Sequence, residues 1–181
     1  NGIPVSHRDF CSSLHIITGH KKKGDTYDID FKALVNTKGT LAFLMGVSAL
    51  EDICNSLLQA GMDEEMPAAI LQKGTTAGQK RIVATVSTLA EEVKKQGIET
   101  PAIIVVGKVC ALADEFAWYE KLPLFGCKVL VTRPKETISS MAHKLRLLGA
   151  EVLELPAIRT EPLEDQSLLK EALKELDSYQ W

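Results

Sequence analysis

Thr40-Leu-Ala-Phe-Leu-Met45 is a short apolar run bounded by Gly39 and Gly46. A run of this length, closed by glycine on both sides, fits a buried strand better than a helix. The period then changes. Ser48 stands three residues before Glu51, the spacing of a capping box, and Leu50, Ile53, Cys54, Leu57 and Leu58 recur at helical spacing until Gly61. Working outward, Pro67 to Leu71 reads as a second strand, Arg81 to Val86 as a third and Ala102 to Val106 as a fourth. The helix Leu89 to Gln96 lies between the last two and is closed by Gly97. Apolar strands alternating with amphipathic helices predict an α/β layered domain over residues 1–121.

A second unit opens after the linker 122–126. Cys127-Lys-Val-Leu-Val-Thr132 reads as a strand, Arg133-Pro134 as a turn, and Thr137 to Leu148 as a helix with Ile138, Met141, Leu145 and Leu148 on one face. Val152-Leu-Glu-Leu155 is the next strand, and Leu168 to Leu176 a further amphipathic helix. This β-α-β-α order, residues 127–181, is the opening of a doubly wound parallel sheet. Two parallel strands cannot cover both their faces, so the reading expects this unit to be truncated at its C-terminus. It also expects an N-terminus that is not the native one.

The 181 residues carry 25% charged side chains and a net charge of -3, the profile of an ordinary soluble domain rather than a general nucleic-acid binder. Leu41 to Leu50 and Ala102 to Ala113 are too short or too interrupted to span a bilayer. Cys11, Cys54, Cys110 and Cys127 form no C-x-x-C pair, so structural zinc and a disulfide framework are both disfavoured. Four reduced, mostly buried thiols, no metal and a cytoplasmic location are expected, with no membrane or nucleic-acid partner.

The candidate chemistry lies at the start. Three of the four histidines precede residue 21, Arg8 lies among them, and Lys21-Lys22-Lys23 follows. A guanidinium pairs bidentately with carboxylates and an imidazole donates near neutral pH, so Arg8 and His20 suit a ligand with many carboxylates. They are equally read as solvated loop residues.

Gly2-Ile-Pro-Val-Ser-His-Arg8, Thr18-Gly-His20, Thr40 to Gly46, Gly61-Met62, Pro67-Ala68, Lys73-Gly-Thr75, Gln79-Lys-Arg81 and Pro101-Ala-Ile-Ile-Val-Val-Gly107 together resemble the C-terminal half of uroporphyrinogen-III C-methyltransferases, over residues 1–121. Leu124-Phe-Gly-Cys-Lys-Val-Leu-Val-Thr-Arg-Pro134 through Trp181 resembles the beginning of uroporphyrinogen-III synthase. The resemblance implies the C-terminal lobe of a tetrapyrrole methylase (an αβα sandwich on a mixed sheet), followed by the first βαβα of a flavodoxin-like synthase domain. It implies S-adenosylmethionine as co-substrate, uroporphyrinogen III as methyl acceptor, precorrin-2 on the sirohaem and corrinoid route as product, and a homodimer. It places Arg8, His20 and Met45 against the tetrapyrrole, and Met45, Gly46, Gly74 and Thr75 around S-adenosylmethionine.

Arg133, at the end of the first strand of the second unit, is a further candidate partner for a substrate carboxylate. The family's glycine-rich loop, and the acid and base proposed for its proton handling, have no counterpart in these residues. The chain alone is therefore expected to be inactive, within a bifunctional parent that also closes hydroxymethylbilane to uroporphyrinogen III. Two other readings stand beside it. In one, the synthase is the working activity and the methylase part is degenerate; in the other, the lobe binds polycarboxylates or dimerises without catalysis.

Overall fold

The computed structural model describes residues 2–19, 28–132, 135–159, 161–162 and 164–178, with backbone alone at 135–139. Five strands form one sheet: β1 (Leu14–Thr18), β2 (Thr40–Leu44), β3 (Pro67–Gln72), β4 (Lys80–Thr85) and β5 (Ala102–Val106), in the order β1-β2-β5-β3-β4. β1 and β2 run parallel, whereas β5 runs antiparallel to both β2 and β3, and β4 antiparallel to β3. The sheet is therefore mixed. The carboxyl ends of β1, β2 and β3 emerge at one edge, together with the starts of β4 and β5.

Side chains alternate across the sheet with period 2. Leu41, Phe43, Ile70, Ile104 and Val106 point to one face and are buried against α1 (Phe31–Thr37), α2 (Leu50–Gln59) and α3 (Leu89–Gln96). Ile53 and Leu57 of α2, and Leu89 of α3, are fully buried in this core. The alternate residues Ala69, Leu71 and Val105 face the other way. Among the described residues no α-helix backs this second face, so the expected helix layer on both sides is corrected. Ile3 of the N-terminal segment and Cys110 of a 3-10 turn, Lys108–Leu112, pack there instead. Gly2 allows this path: at φ 83° a Cβ would fall 2.9 Å from Arg81 Nη1 and 3.3 Å from the Ala117 Cα.

Ser48 does not cap α2. It sits inside a 3-10 turn, Val47–Ala49, and Ala49 occupies the N-cap with no side-chain hydrogen bond. Glu51, freed from a capping box, reaches across to Lys94 of α3 at 2.7 Å. β1 and α1 are additional to the elements expected from the sequence. α1 is capped by Asp30, whose Oδ1 accepts from the Ala33 N–H at 2.9 Å.

The second unit has the expected parallel pair, β6 (Lys128–Val131) and β7 (Glu151–Glu154), with α4 (Lys135–Leu147) between them and α5 (Ser167–Lys174) after them. Leu130 and Leu153 on the pair are exposed. No described helix is long and apolar enough to cross a membrane.

The four cysteines are unpaired, but only Cys54 and Cys110 are buried; Cys11 is half-buried and Cys127 is exposed. Burial pushes the Cys54 thiol from 9.0 up to about 11 and the Cys110 thiol up to about 12. A thiol-specific reagent at pH 8 is therefore expected to modify Cys127 first, and to reach Cys54 and Cys110 only on unfolding. Between pH 9 and about 11 the unfolded chain releases protons that the folded chain keeps. The unfolding free energy should fall with rising pH in that window, as urea midpoints would show. Phe43→Ala empties a fully buried site and should cost about 3–5 kcal/mol in the same assay.

Candidate functional site

Two strand ends meet at the shared edge of the sheet. The Gly19 N–H donates to the Leu44 carbonyl at 2.7 Å. A Cβ on Gly19 would lie 2.8 Å from the Gly46 Cα, and one on Gly46 would lie 3.0 Å from Ile53 Cδ1. Position 19 has no room for a side chain, and one at position 46 would push on the Ile53 and Ile104 side chains, so both glycines serve close packing. The chain escapes this crowding by turning at Met45, which takes the left-handed conformation at φ 56° and stands 63% exposed. A methionine that leaves the core in a conformation unfavourable to any residue with a Cβ is not serving the core. Its thioether is available to a ligand.

Two strands along, β3 runs into the loop 73–79. Lys73 (φ 47°) and Thr75 (φ 60°) are both left-handed, with Gly74 between them, so the strain of this turn falls on its neighbours rather than on the glycine. The loop is tied from within. Thr76 Oγ1 donates to the Lys73 carbonyl at 2.7 Å, and Gly78 N donates to Thr76 Oγ1 at 3.2 Å. Lys73 N donates to the Pro101 carbonyl at 3.0 Å, which pins the loop to the segment leading into β5. Beside it opens a cavity of about 790 Å³ lined by Gly74, Thr75, Pro101 and Ile103. Its opposite wall is Lys128 and Glu151 of the β6–β7 pair, an ion pair at 3.4 Å.

Four of the expected residues thus come to one edge. Gly74 and Thr75 line the cavity; Met45 and Gly46 follow β2, and with β5 between them and β3 the two groups lie about 10 Å apart. Arg8 is not among them. It sits exposed in a turn closed by the His7 carbonyl, which accepts from Phe10 and Cys11 N–H at 2.9 Å. Cys11 Sγ lies 3.1 Å from Thr40 Oγ1, at the first residue of β2, so Arg8 is a strand length, about 17 Å, from the Met45 end. β1 therefore lies between Arg8 and the residues that follow β2. His20 and Arg133 lie outside the described residues.

Sequence reasoning did not single out Gln79 or Arg81 as functional, although both stand in a quoted motif. Arg81 Nη1 donates to the Ala113 carbonyl and Nη2 pairs with Asp114 at 3.2 Å, which fastens the segment after β5 onto β4. Inward-facing polar residues two apart at a strand start are the only sequence signal for this pair. Among the described residues no group of His, Cys, Asp and Glu could hold a metal ion. The arrangement offers apolar walls, polar backbone at a strained loop and an exposed thioether, which together suit binding and orientation.

Residues 1–90 match the family model of tetrapyrrole (corrin/porphyrin) methylases. The chain is 49% identical over 180 residues to the porphyrin biosynthesis protein HemD of Ruminiclostridium josui, covering 99% of this chain and 36% of that protein. It is 38% identical over 173 residues to the uroporphyrinogen-III C-methyltransferase of Bacillus subtilis, covering 93% and 35%. It therefore spans about a third of the length of these curated relatives. The uroporphyrin-III C-methyltransferase of Thermus thermophilus, solved with S-adenosylhomocysteine, superposes with a TM-score of 0.52 at 26% identity, over 61% of this chain and 48% of that one. The part of the chain that bears Met45 and the loop 73–79 is accordingly a tetrapyrrole methylase domain, homologous to the uroporphyrinogen-III C-methyltransferases.

Proposed function

We propose that the chain supplies one wall of an S-adenosylmethionine site in a uroporphyrinogen-III C-methyltransferase on the route to precorrin-2, sirohaem and corrinoids. The observation that carries this reading is the shared sheet edge, where an exposed, left-handed Met45 stands beside the cavity of loop 73–79. A volume of about 790 Å³ suits a nucleoside with an amino-acid tail. Gly74 and Thr75 would meet it with backbone, and Pro101 and Ile103 with apolar surface. When bound, S-adenosylmethionine supplies a sulfonium methyl group. A nucleophilic carbon of the macrocycle would form the new C–C bond as the S–CH3 bond breaks, S-adenosylhomocysteine would leave with the sulfur electron pair, and the macrocycle would release one proton to solvent.

In such a displacement the protein's part is alignment. Met45 packs between nucleoside and macrocycle, and Gly46 keeps the strand ends close enough to aim it. His20, next in sequence after Gly19, and Arg133 are proposed partners for substrate carboxylates. Arg8, exposed about a strand length from Met45, is proposed as a further contact for a carboxylate at the far side of the macrocycle.

A second reading concerns residues 127–181. The parallel β6–β7 pair with α4 supports the start of a synthase-type domain, and hence a second activity that closes hydroxymethylbilane. Self-association of the first unit into a homodimer, and a cytoplasmic location, belong to the proposal as well; the exposed Leu14, Ile16 and Leu44 leave apolar surface for such a contact.

The test is anaerobic methyl transfer from S-adenosylmethionine to uroporphyrinogen III. It is run on the chain and on a chimera in which the chain replaces its matched segment in the Bacillus subtilis relative. The chimera should turn over and the isolated chain should not. Met45→Ala in the chimera should lower kcat/KM by about 10- to 100-fold, the scale of a misaligned reactant. A folded chimera that binds S-adenosylhomocysteine but leaves uroporphyrinogen III unmethylated would overturn the proposal.

A further inference from the structure

We propose that Glu120, the last carboxylate before the linker to the second unit, is a positioning residue that holds the loop 73–79 in its strained shape through Gln79. The loop's importance rests on the function proposed above; the mechanical link does not.

Gln79 is 5% exposed and is gripped at both ends of its amide. Its Oε1 accepts from the Thr75 N–H at 2.7 Å, and its Nε2 donates to Glu120 Oε1 at 2.6 Å. The orientation of that amide is fixed by chemistry. A backbone N–H can only donate and a carboxylate can only accept, so a flipped Gln79 would face donor to donor and acceptor to acceptor. Thr75 is one of the two left-handed residues of the loop, so this hydrogen bond acts where the backbone needs restraint.

Glu120 is itself placed from two sides. Arg81 Nε stands 3.9 Å from its Oε1, while Arg81 also holds Asp114 and the Ala113 carbonyl. On the other side, the neighbouring Tyr119 is buried and meets Phe125 edge to face, with ring centroids 6.0 Å apart. Leu124 N then donates to the Leu148 carbonyl of the second unit at 2.9 Å. Glu120 Oε2 is buried with no hydrogen-bond partner among the described residues. The side chain's hydrogen bonding is therefore made by the other oxygen, Oε1. Glu120 to Gln79 is thus a side-chain link between the segment that leads into the second unit and the candidate cofactor loop. The fold of the join, not the loop sequence alone, therefore sets the loop.

Amide hydrogen exchange by NMR on the whole 181-residue chain tests this. In Glu120→Ala the Thr75 amide should exchange about tenfold faster or more, while Ile104 and Val105 in the central strand keep their protection. Glu120→Gln keeps an oxygen acceptor for Gln79 and should restore Thr75 to within about twofold of the parent chain. Thr75 exchange in Glu120→Ala within about twofold of the parent, with the core protected, would overturn the proposal. If Glu120→Ala also loses core protection, Glu120→Asp decides, because it keeps the charge toward Arg81 and draws the oxygen back by one methylene. Faster exchange confined to the loop then supports the link, and unchanged exchange refutes it. The readout needs no ligand, so a failed S-adenosylhomocysteine titration would count against the proposed function and leave this result standing.

Discussion

The contact between Gly19 and Gly46 is the constraint on which the rest of the site depends. With 2.8 Å between a virtual Cβ on Gly19 and the Gly46 Cα, the ends of β1 and β2 meet only if position 19 lacks a side chain, while a Cβ on Gly46 would press on Ile53 and Ile104 of the core at 3.0 and 3.1 Å. Ile53 of α2, a member of the main core, packs against both positions. Because the chain must then leave a crowded corner, Met45 is forced into solvent in a left-handed turn. The exposure of Met45 goes with its place between the strand end and Gly46. A larger residue at either glycine would act on the site from inside the core.

The other half of the site is governed by polar geometry. Loop 73–79 buries no apolar side chain other than Ala77, and its shape is kept by hydrogen bonds that involve Thr75, Thr76 and Gln79. Such a loop belongs to the weakly held end of a fold's stability range, where binding elements are often found. Its rigid surroundings supply what it lacks: β3 and β5 below, the Pro101 carbonyl at its start, and Gln79 at its end. The same segment forms the boundary with the second unit across Lys128 and Glu151. The cavity is bounded by both units, whereas the family model matches residues 1–90.

What could be read from the sequence follows from how local each signal is. β2, β3 and β5 are unbroken apolar runs, and α3 with Gly97 at φ 62° behind it is bounded by residues whose physics is local. β1 escapes because His15 and Thr18 interrupt its apolar pattern, and α1 because seven residues carry little periodicity. The Ser48–Glu51 capping box fails because a 3-10 turn intervenes, and Glu51 has a better partner in Lys94. At the site, Met45, Gly46, Gly74, Thr75 and Arg8 are all legible only through family resemblance, because no local pattern marks a strand-end methionine, a turn glycine or an exposed arginine as a binding residue. Gln79 and Glu120, 41 residues apart, touch only because the chain returns past β4 after closing the sheet. No local pattern encodes such a contact.

The most direct measurement is a titration of S-adenosylhomocysteine, at millimolar concentration, into the chain labelled with 13C at its methionine methyl groups. Met45 stands at the carboxyl end of β2, whereas Met62 and Met66 precede β3 at the opposite end of the sheet. They serve as internal controls against nonspecific binding. If the shared edge is the cofactor wall, the Met45 methyl resonance moves with added ligand and those of Met62 and Met66 stay in place. Movement of Met62 or Met66 alone, or of no methyl group, would contradict the account.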